Sequence, residues 1–125
     1  MTPIVIAEDD PDIGALMVDA LSADGTMDPI LVTNGALVID AVMRSGAGLL
    51  ILDVQMPGAT GIDVFDVVRG HPAFRHIPVL FVTANPELAL DTLPGAGPRD
   101  VLAKPFDLDE LIARARSLLI EALAA

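Results

Sequence analysis

Ile4-Val5-Ile6-Ala7-Glu8-Asp9-Asp10-Pro11 decides how this chain is read: four apolar residues, three acids, then a proline. The apolar run has the length of a short buried strand. Asp10 followed by Pro11 has the form of a helix N-cap with proline in the first helical position. The pattern returns along the chain. Asp53 follows Leu49-Leu50-Ile51-Leu52, Thr83 follows Val79–Val82, Lys104-Pro105 follows Val101–Ala103, and Gly35 comes shortly after Ile30–Val32. Apolar strands alternating with helical stretches imply a parallel sheet covered on both faces. In such sheets ligands bind beyond the carboxyl ends of the strands, so these acids, the hydroxyl and the lysine should meet at one rim.

Strands are expected over residues 4–7, 30–32, 49–52, 79–82 and 100–103. Helices are expected over 11–23, 36–44 and 62–70, from Asn85-Pro86 to a stop at Pro94-Gly95, and from Asp107 onward. Ile13, Leu16, Met17, Ala20 and Leu21 have the spacing of a sheet-facing stripe, and Gly25 marks that helix's end. In the last helix Leu108, Leu111, Ile112, Ala115, Leu118, Leu119 and Ala122 form such a stripe, with Asp107 and Glu110 at capping-box spacing. Because crossover connections are right-handed, five such units leave few arrangements. The expectation is an α/β fold: one doubly wound, five-stranded parallel sheet.

At 125 residues and 53% hydrophobic content, the chain can bury a core without disulfides, and it is too apolar for a disordered tail. Charges interrupt every apolar run before it reaches membrane-spanning length. The start Met1-Thr2-Pro3 lacks the basic residues of a signal peptide. With no cysteine, disulfide and thiol chemistry are excluded, and a cytoplasmic setting fits. A formal net charge of -11 argues against direct nucleic-acid binding, which needs clustered Lys and Arg. It suits basic protein partners and divalent cations, and equally simple solubility.

Magnesium takes oxygen ligands, usually one or two carboxylates with waters and a phosphate oxygen. Asp9 and Asp53 supply two such carboxylates from neighbouring strand ends, with Glu8 placed to hold a metal-bound water. Asp10 is taken up by capping. A carboxylate such as Asp53 is also a competent nucleophile toward phosphorus. Lys104 offers a point charge, and Thr83 a hydroxyl, to the phosphoryl oxygens.

With these residues in place, the chain resembles a receiver domain of the two-component response regulators. The matching stretches are Ile4–Pro11, Leu52-Asp53-Val54-Gln55-Met56-Pro57-Gly58, Val82-Thr83-Ala84 and Ala103-Lys104-Pro105-Phe106, in family order and across essentially the whole chain. The resemblance implies a flavodoxin-like sheet of order 2-1-3-4-5. It implies phosphorylation of Asp53 by a histidine kinase or histidine phosphotransfer protein. It implies Mg2+ held by Glu8, Asp9, Asp53 and the backbone carbonyl of Gln55. Lys104 and Thr83 would bind the phosphoryl group, and the Lys104–Pro105 bond would be cis. Helix 1 around Asp12, Ile13 and Leu16 is where similar proteins meet their donors. His71 and His76 follow no site strand and read as loop residues.

The chain departs from the family at Val101, where an aromatic residue usually stands. Valine has no comparable inward and outward rotamers. Gln55 and Asn85, two residues beyond Asp53 and Thr83, occupy positions that tune phosphoryl hydrolysis in the family. The reading is a single receiver over 1–125 without an output domain, signalling through a downstream protein partner or onward phosphotransfer. It would catalyse only its own modification. A phosphorylation-independent interaction module is the alternative, followed by an aspartate-based phosphohydrolase. For the latter, haloacid-dehalogenase-like phosphatases carry a second aspartate two residues on, where this chain has Gln55.

Overall fold

The computed structural model describes residues 1–92 and 100–124. Strands β1 (Thr2–Ala7), β2 (Met27–Val32), β3 (Leu49–Asp53), β4 (Val79–Thr83) and β5 (Val101–Ala103) form one parallel sheet in the order β2-β1-β3-β4-β5. Helices α1 (Pro11–Ala23), α2 (Val38–Ser45), α3 (Gly61–Gly70), α4 (Pro86–Thr92) and α5 (Leu108–Ala124) alternate with them. This is the expected doubly wound, flavodoxin-like sheet. The expected stop at Pro94-Gly95, together with Leu93, Gly97 and Pro98, lies outside the described residues.

Successive side chains on a strand point to opposite faces, and here both faces are buried. Val5, Ala7, Leu50, Leu52, Val79, Phe81 and Val101 pack against Val38 and Val42 of α2, Val64 and Val68 of α3, and Ala89 of α4. Ile4, Ile6, Leu49, Ile51, Leu80, Val82 and Leu102 pack against Met17 and Leu21 of α1 and Leu111, Ala115 and Leu118 of α5. Each such fully buried Leu or Ile contributes about 2 kcal/mol. A strand with both faces covered must be apolar at every position, which is why the runs are continuous.

Several boundaries and faces differ from expectation. β2 begins at Met27 rather than residue 30 and includes Pro29. It is an edge strand, where proline's missing N–H costs no ladder bond. The stretch expected as one helix from residue 36 opens with a 3-10 turn, Gly35–Leu37, before α2. α3 starts with a capping box: Thr60 accepts from the Asp63 N–H, and Asp63 accepts from that of Thr60. Leu16 is 54% exposed instead of facing the sheet. The sheet-facing stripe of α1 is Gly14, Met17 and Leu21. A Cβ at Gly14 would stand 2.8 Å from Leu31, so the helix turns its narrowest side inward and Leu16 swings outward. In α5, Ala122 is exposed. No described helix is long and apolar enough to cross a membrane.

Candidate functional site at the carboxyl rim

Strand register carries four side chains to the same edge. Ala7 pairs with Leu52, so Glu8 and Asp53 each come one residue later and stand abreast. Asp53 pairs with Val82, one residue before Thr83, and Thr83 pairs with Ala103, one residue before Lys104. The Lys104 N–H donates to the Thr83 carbonyl at 2.8 Å, joining the last two strand ends. The Lys104–Pro105 peptide bond is cis, as expected.

Among the described residues, the buried polar or charged side chains are Glu8, Asp53 and Thr83, and all three stand at this rim. Burying a charge is costly unless it is paired, and Lys104 supplies the pairing. Its Nζ lies 2.6 Å from Glu8 Oε1 and 2.9 Å from Asp53 Oδ2. The remaining oxygens are held by the backbone. Asp10 N–H donates to Glu8 Oε2 at 3.2 Å, and Gln55 N–H donates to Asp53 Oδ1 at 3.1 Å. The Thr83 Oγ1 accepts from Asn85 N–H at 3.0 Å.

Asp9 is exposed, yet one carboxylate oxygen from each of Glu8, Asp9 and Asp53 lies within 4.8 Å of the others. Asp10 looks away, capping α1 by accepting from the N–H groups of Asp12 and Ile13. Burial pushes the Glu8 carboxyl above its ordinary range. The bonds to Lys104 and the Asp10 N–H pull the other way, while the Asp53 charge adds to the rise. For Lys104, burial alone would lower the pKa, but its bonds and charge attraction to Glu8 and Asp53 outweigh it and leave the ammonium raised.

The donor set suits a hard divalent cation. Three carboxylates converge, all ligand atoms are oxygen, and the buried Glu8 Oε1 has no partner but the Lys104 ammonium. A cation here would relieve the mutual repulsion of the acids.

Beside Lys104 lies an apolar depression of about 450 Å³ lined by Ile13, Leu16, Ala84, Pro105, Phe106 and Leu108. Only its helix-1 side was legible in the sequence. The remainder comes from loops that meet in space, and the exposure of Leu16 is the signal that a full stripe count misses. Val101 is 6% exposed and pairs with Phe81 in the sheet, so the position that departs from the resemblance is filled core. His71 and His76 are exposed in the connection from α3 to β4, away from the acidic rim. Leu88 is 43% exposed on α4.

The profile described as "Response regulator receiver domain" matches residues 4–116. The chain is 34% identical over 118 residues to the transcriptional regulatory protein BaeR of Escherichia coli O6:H1, covering 93% of this chain and 47% of that protein. It is 37% identical over 118 residues to the transcriptional regulatory protein TcrA of Mycobacterium tuberculosis, covering 92% and 45%. The chain therefore spans about half the length of the curated relatives it matches. Among solved structures, a sensor protein from Polaromonas sp. JS666 superposes with a TM-score of 0.86 at 27% identity, covering 97% of this chain and 98% of that one.

Proposed function

Because this chain belongs to the response regulator receiver domain family of two-component signalling, we propose that Asp53 accepts a phosphoryl group from a phosphohistidine donor with Mg2+ beside it. Receiver domains are signalling modules rather than classical enzymes, and histidine kinases phosphorylate them. The observation that carries the reading is Lys104 Nζ placed between Glu8 and Asp53, at 2.6 and 2.9 Å, in a rim that buries no other polar side chain but Thr83 among the described residues.

In this reading an Asp53 carboxylate oxygen attacks phosphorus. An O–P bond forms, the N–P bond breaks, and its electron pair returns to the imidazole nitrogen of the donor, which takes up a proton. Lys104 Nζ leaves Glu8 and Asp53 to pair with a phosphoryl oxygen, and the Thr83 hydroxyl donates to a second. Glu8, Asp9, Asp53 and the Gln55 backbone carbonyl would hold magnesium, which when bound offsets the charge on the phosphoryl oxygens. The apolar depression between α1 and Pro105-Phe106 suits a donor helix docking beside Asp53. Because position 101 carries buried Val101 rather than an aromatic ring, the signal leaves Thr83 by a route other than a ring flip. The output is a contact with a downstream protein or onward phosphotransfer, in the cytoplasm and without direct nucleic-acid binding.

Incubation with magnesium and acetyl phosphate, read by intact mass, tests this. A single phosphoryl adduct, absent in Asp53→Asn, is expected. No adduct from acetyl phosphate or from a phosphohistidine protein would leave the phosphorylation-independent interaction module. Sustained turnover of small phosphate esters would instead make the chain a hydrolase.

A further inference from the structure

Asn34 and Gly35, just past the end of β2, take no part in the chemistry above, yet they are locked into the loop that carries Gln55. The Gly35 N–H donates to the Pro57 carbonyl at 3.0 Å. A Cβ at Gly35 would lie 1.8 Å from the Ala59 carbonyl oxygen, which is backbone and cannot step aside cheaply. From the other side, Gly58 sits at φ +87°, in the left-handed region that favours glycine. A Cβ there would fall 1.9 Å from Asn34 Oδ1. That oxygen is itself fixed, accepting from the Ala36 N–H at 2.8 Å to cap the 3-10 turn.

The two ends of the same loop are tied as well. Gly61 N–H donates to the Val54 carbonyl at 3.0 Å, and Gln55 N–H holds Asp53 Oδ1 at 3.1 Å. The crown of the loop, residues 57–59, is thus braced against residues 34 and 35, and the span carrying Gln55 lies between the two anchors. A surface loop left to itself loses backbone entropy when a ligand orders it. Magnesium tolerates little deviation from octahedral geometry. A carbonyl ligand on this loop therefore needs a brace from outside the loop.

We propose that Asn34 and Gly35 are positioning residues for the magnesium ligand set, holding the loop so that the Gln55 carbonyl stays beside Asp53. The proposal rests on the phosphoacceptor reading. A purely structural role for the same contacts would lower stability without singling out magnesium.

The test is a calorimetric titration of the full chain with magnesium alone, run beside its melting temperature in EDTA and the magnesium dependence of acetyl phosphate labelling. Gly58→Ala should weaken magnesium binding about tenfold, as loss of outer-shell support does elsewhere. The magnesium needed for half-maximal labelling should rise in step, with a smaller change in the rate at saturation. Adding Asn34→Ala to Gly58→Ala should recover much of the affinity, because the oxygen that blocks the new methyl is gone. Asn34→Ala alone, which adds no bulk, should weaken binding a few-fold and serves where Gly58→Ala does not fold. Wild-type magnesium affinity in folded Gly58→Ala and Gly35→Ala, or in Asn34→Ala alone, would overturn the proposal. So would a double variant worse than Gly58→Ala. If wild type itself neither binds magnesium nor takes a label, the phosphoacceptor reading fails first and the positioning role goes with it.

Discussion

Two acids on this molecule are each paired with a base, yet their carboxyls are shifted in opposite directions, because burial outweighs the pairing at one and not at the other. Glu8, at the carboxyl rim, is 1% exposed and meets Lys104 at 2.6 Å, yet burial holds its carboxyl above the ordinary range. Asp24, in the turn after α1, bonds Thr26 and Arg116 and is held below that range, the Thr26 hydroxyl contributing most and Arg116 next. The Asp24 contact with Arg116 ties the turn after α1 to α5, with a covered carboxylate at one end and an exposed guanidinium, 56% open to solvent, at the other. The Glu8 contact is a charge kept under cover at a cost. A pair with one partner in water stays partly hydrated, whereas a pair drawn under cover carries a desolvation cost that its mutual attraction must offset.

The largest effect should come from removing the partner at the buried pair. Lys104→Met leaves Glu8 and Asp53 buried without a counter-ion, and should cost about 3 kcal/mol in EDTA by denaturant unfolding. Saturating magnesium should restore much of that loss. A Lys104→Met chain as stable as wild type would end the contrast between the two acids.

Next in size is the cation itself. At one hundred times its dissociation constant, magnesium should add about 2.7 kcal/mol to wild type. The same gain should appear in Asp24→Asn, because that acid is no part of the rim. A gain that vanished in Asp24→Asn would show that the acid cluster at Glu8, Asp9 and Asp53 does not hold the ion.

The pH dependences should then run in opposite senses. A carboxyl whose folded pKa is raised holds its proton longer in the fold, so stability falls as pH rises from the ordinary carboxylate range to that raised value. The Glu8-dependent part, read as the difference between wild type and Glu8→Gln melting curves in EDTA, should show this fall, and magnesium should remove it. For Asp24 the folded pKa is lowered. Its contribution is present above the ordinary range and disappears as pH drops through the lowered value, so Asp24→Asn should narrow its gap to wild type in acid. Equal slopes in the two variants would erase the comparison.

The smallest effect belongs to Arg116→Ala, whose side chain is 56% exposed. It should shift the melting temperature barely beyond measurement error at neutral pH, and less in high salt.

Much of the fold was legible because burial on both faces forces continuous apolar strands, and five of them stand out between polar breaks. Where local rules had rivals, the reading slipped. Leu16 matched helical spacing as well as Gly14 did, and only the closeness of Leu31 shows which side of α1 faces inward. The strand expected from residue 30 left out Met27 and Pro29, and proline is tolerated there only because β2 is an edge strand. The capping box of Thr60 and Asp63 was readable in principle from its spacing, though aspartate stands where glutamate or glutamine is usual. The brace of Asn34 and Gly35 on residues 57–59 joins segments more than twenty positions apart, and Gly35 stood out only as a residue soon after a strand.

The sequence alone determined which side chains reach the rim. Each directly follows an apolar run, and a strand that must stay buried ends where the first polar residue can emerge. It could not determine how those side chains divide the work there. That Glu8 is buried while Asp9 is exposed, that Lys104 stands between Glu8 and Asp53, and that the Gly35 N–H holds the Pro57 carbonyl all follow from strand register and loop packing. These are contacts through space between residues remote in the chain, and no local spacing rule encodes them.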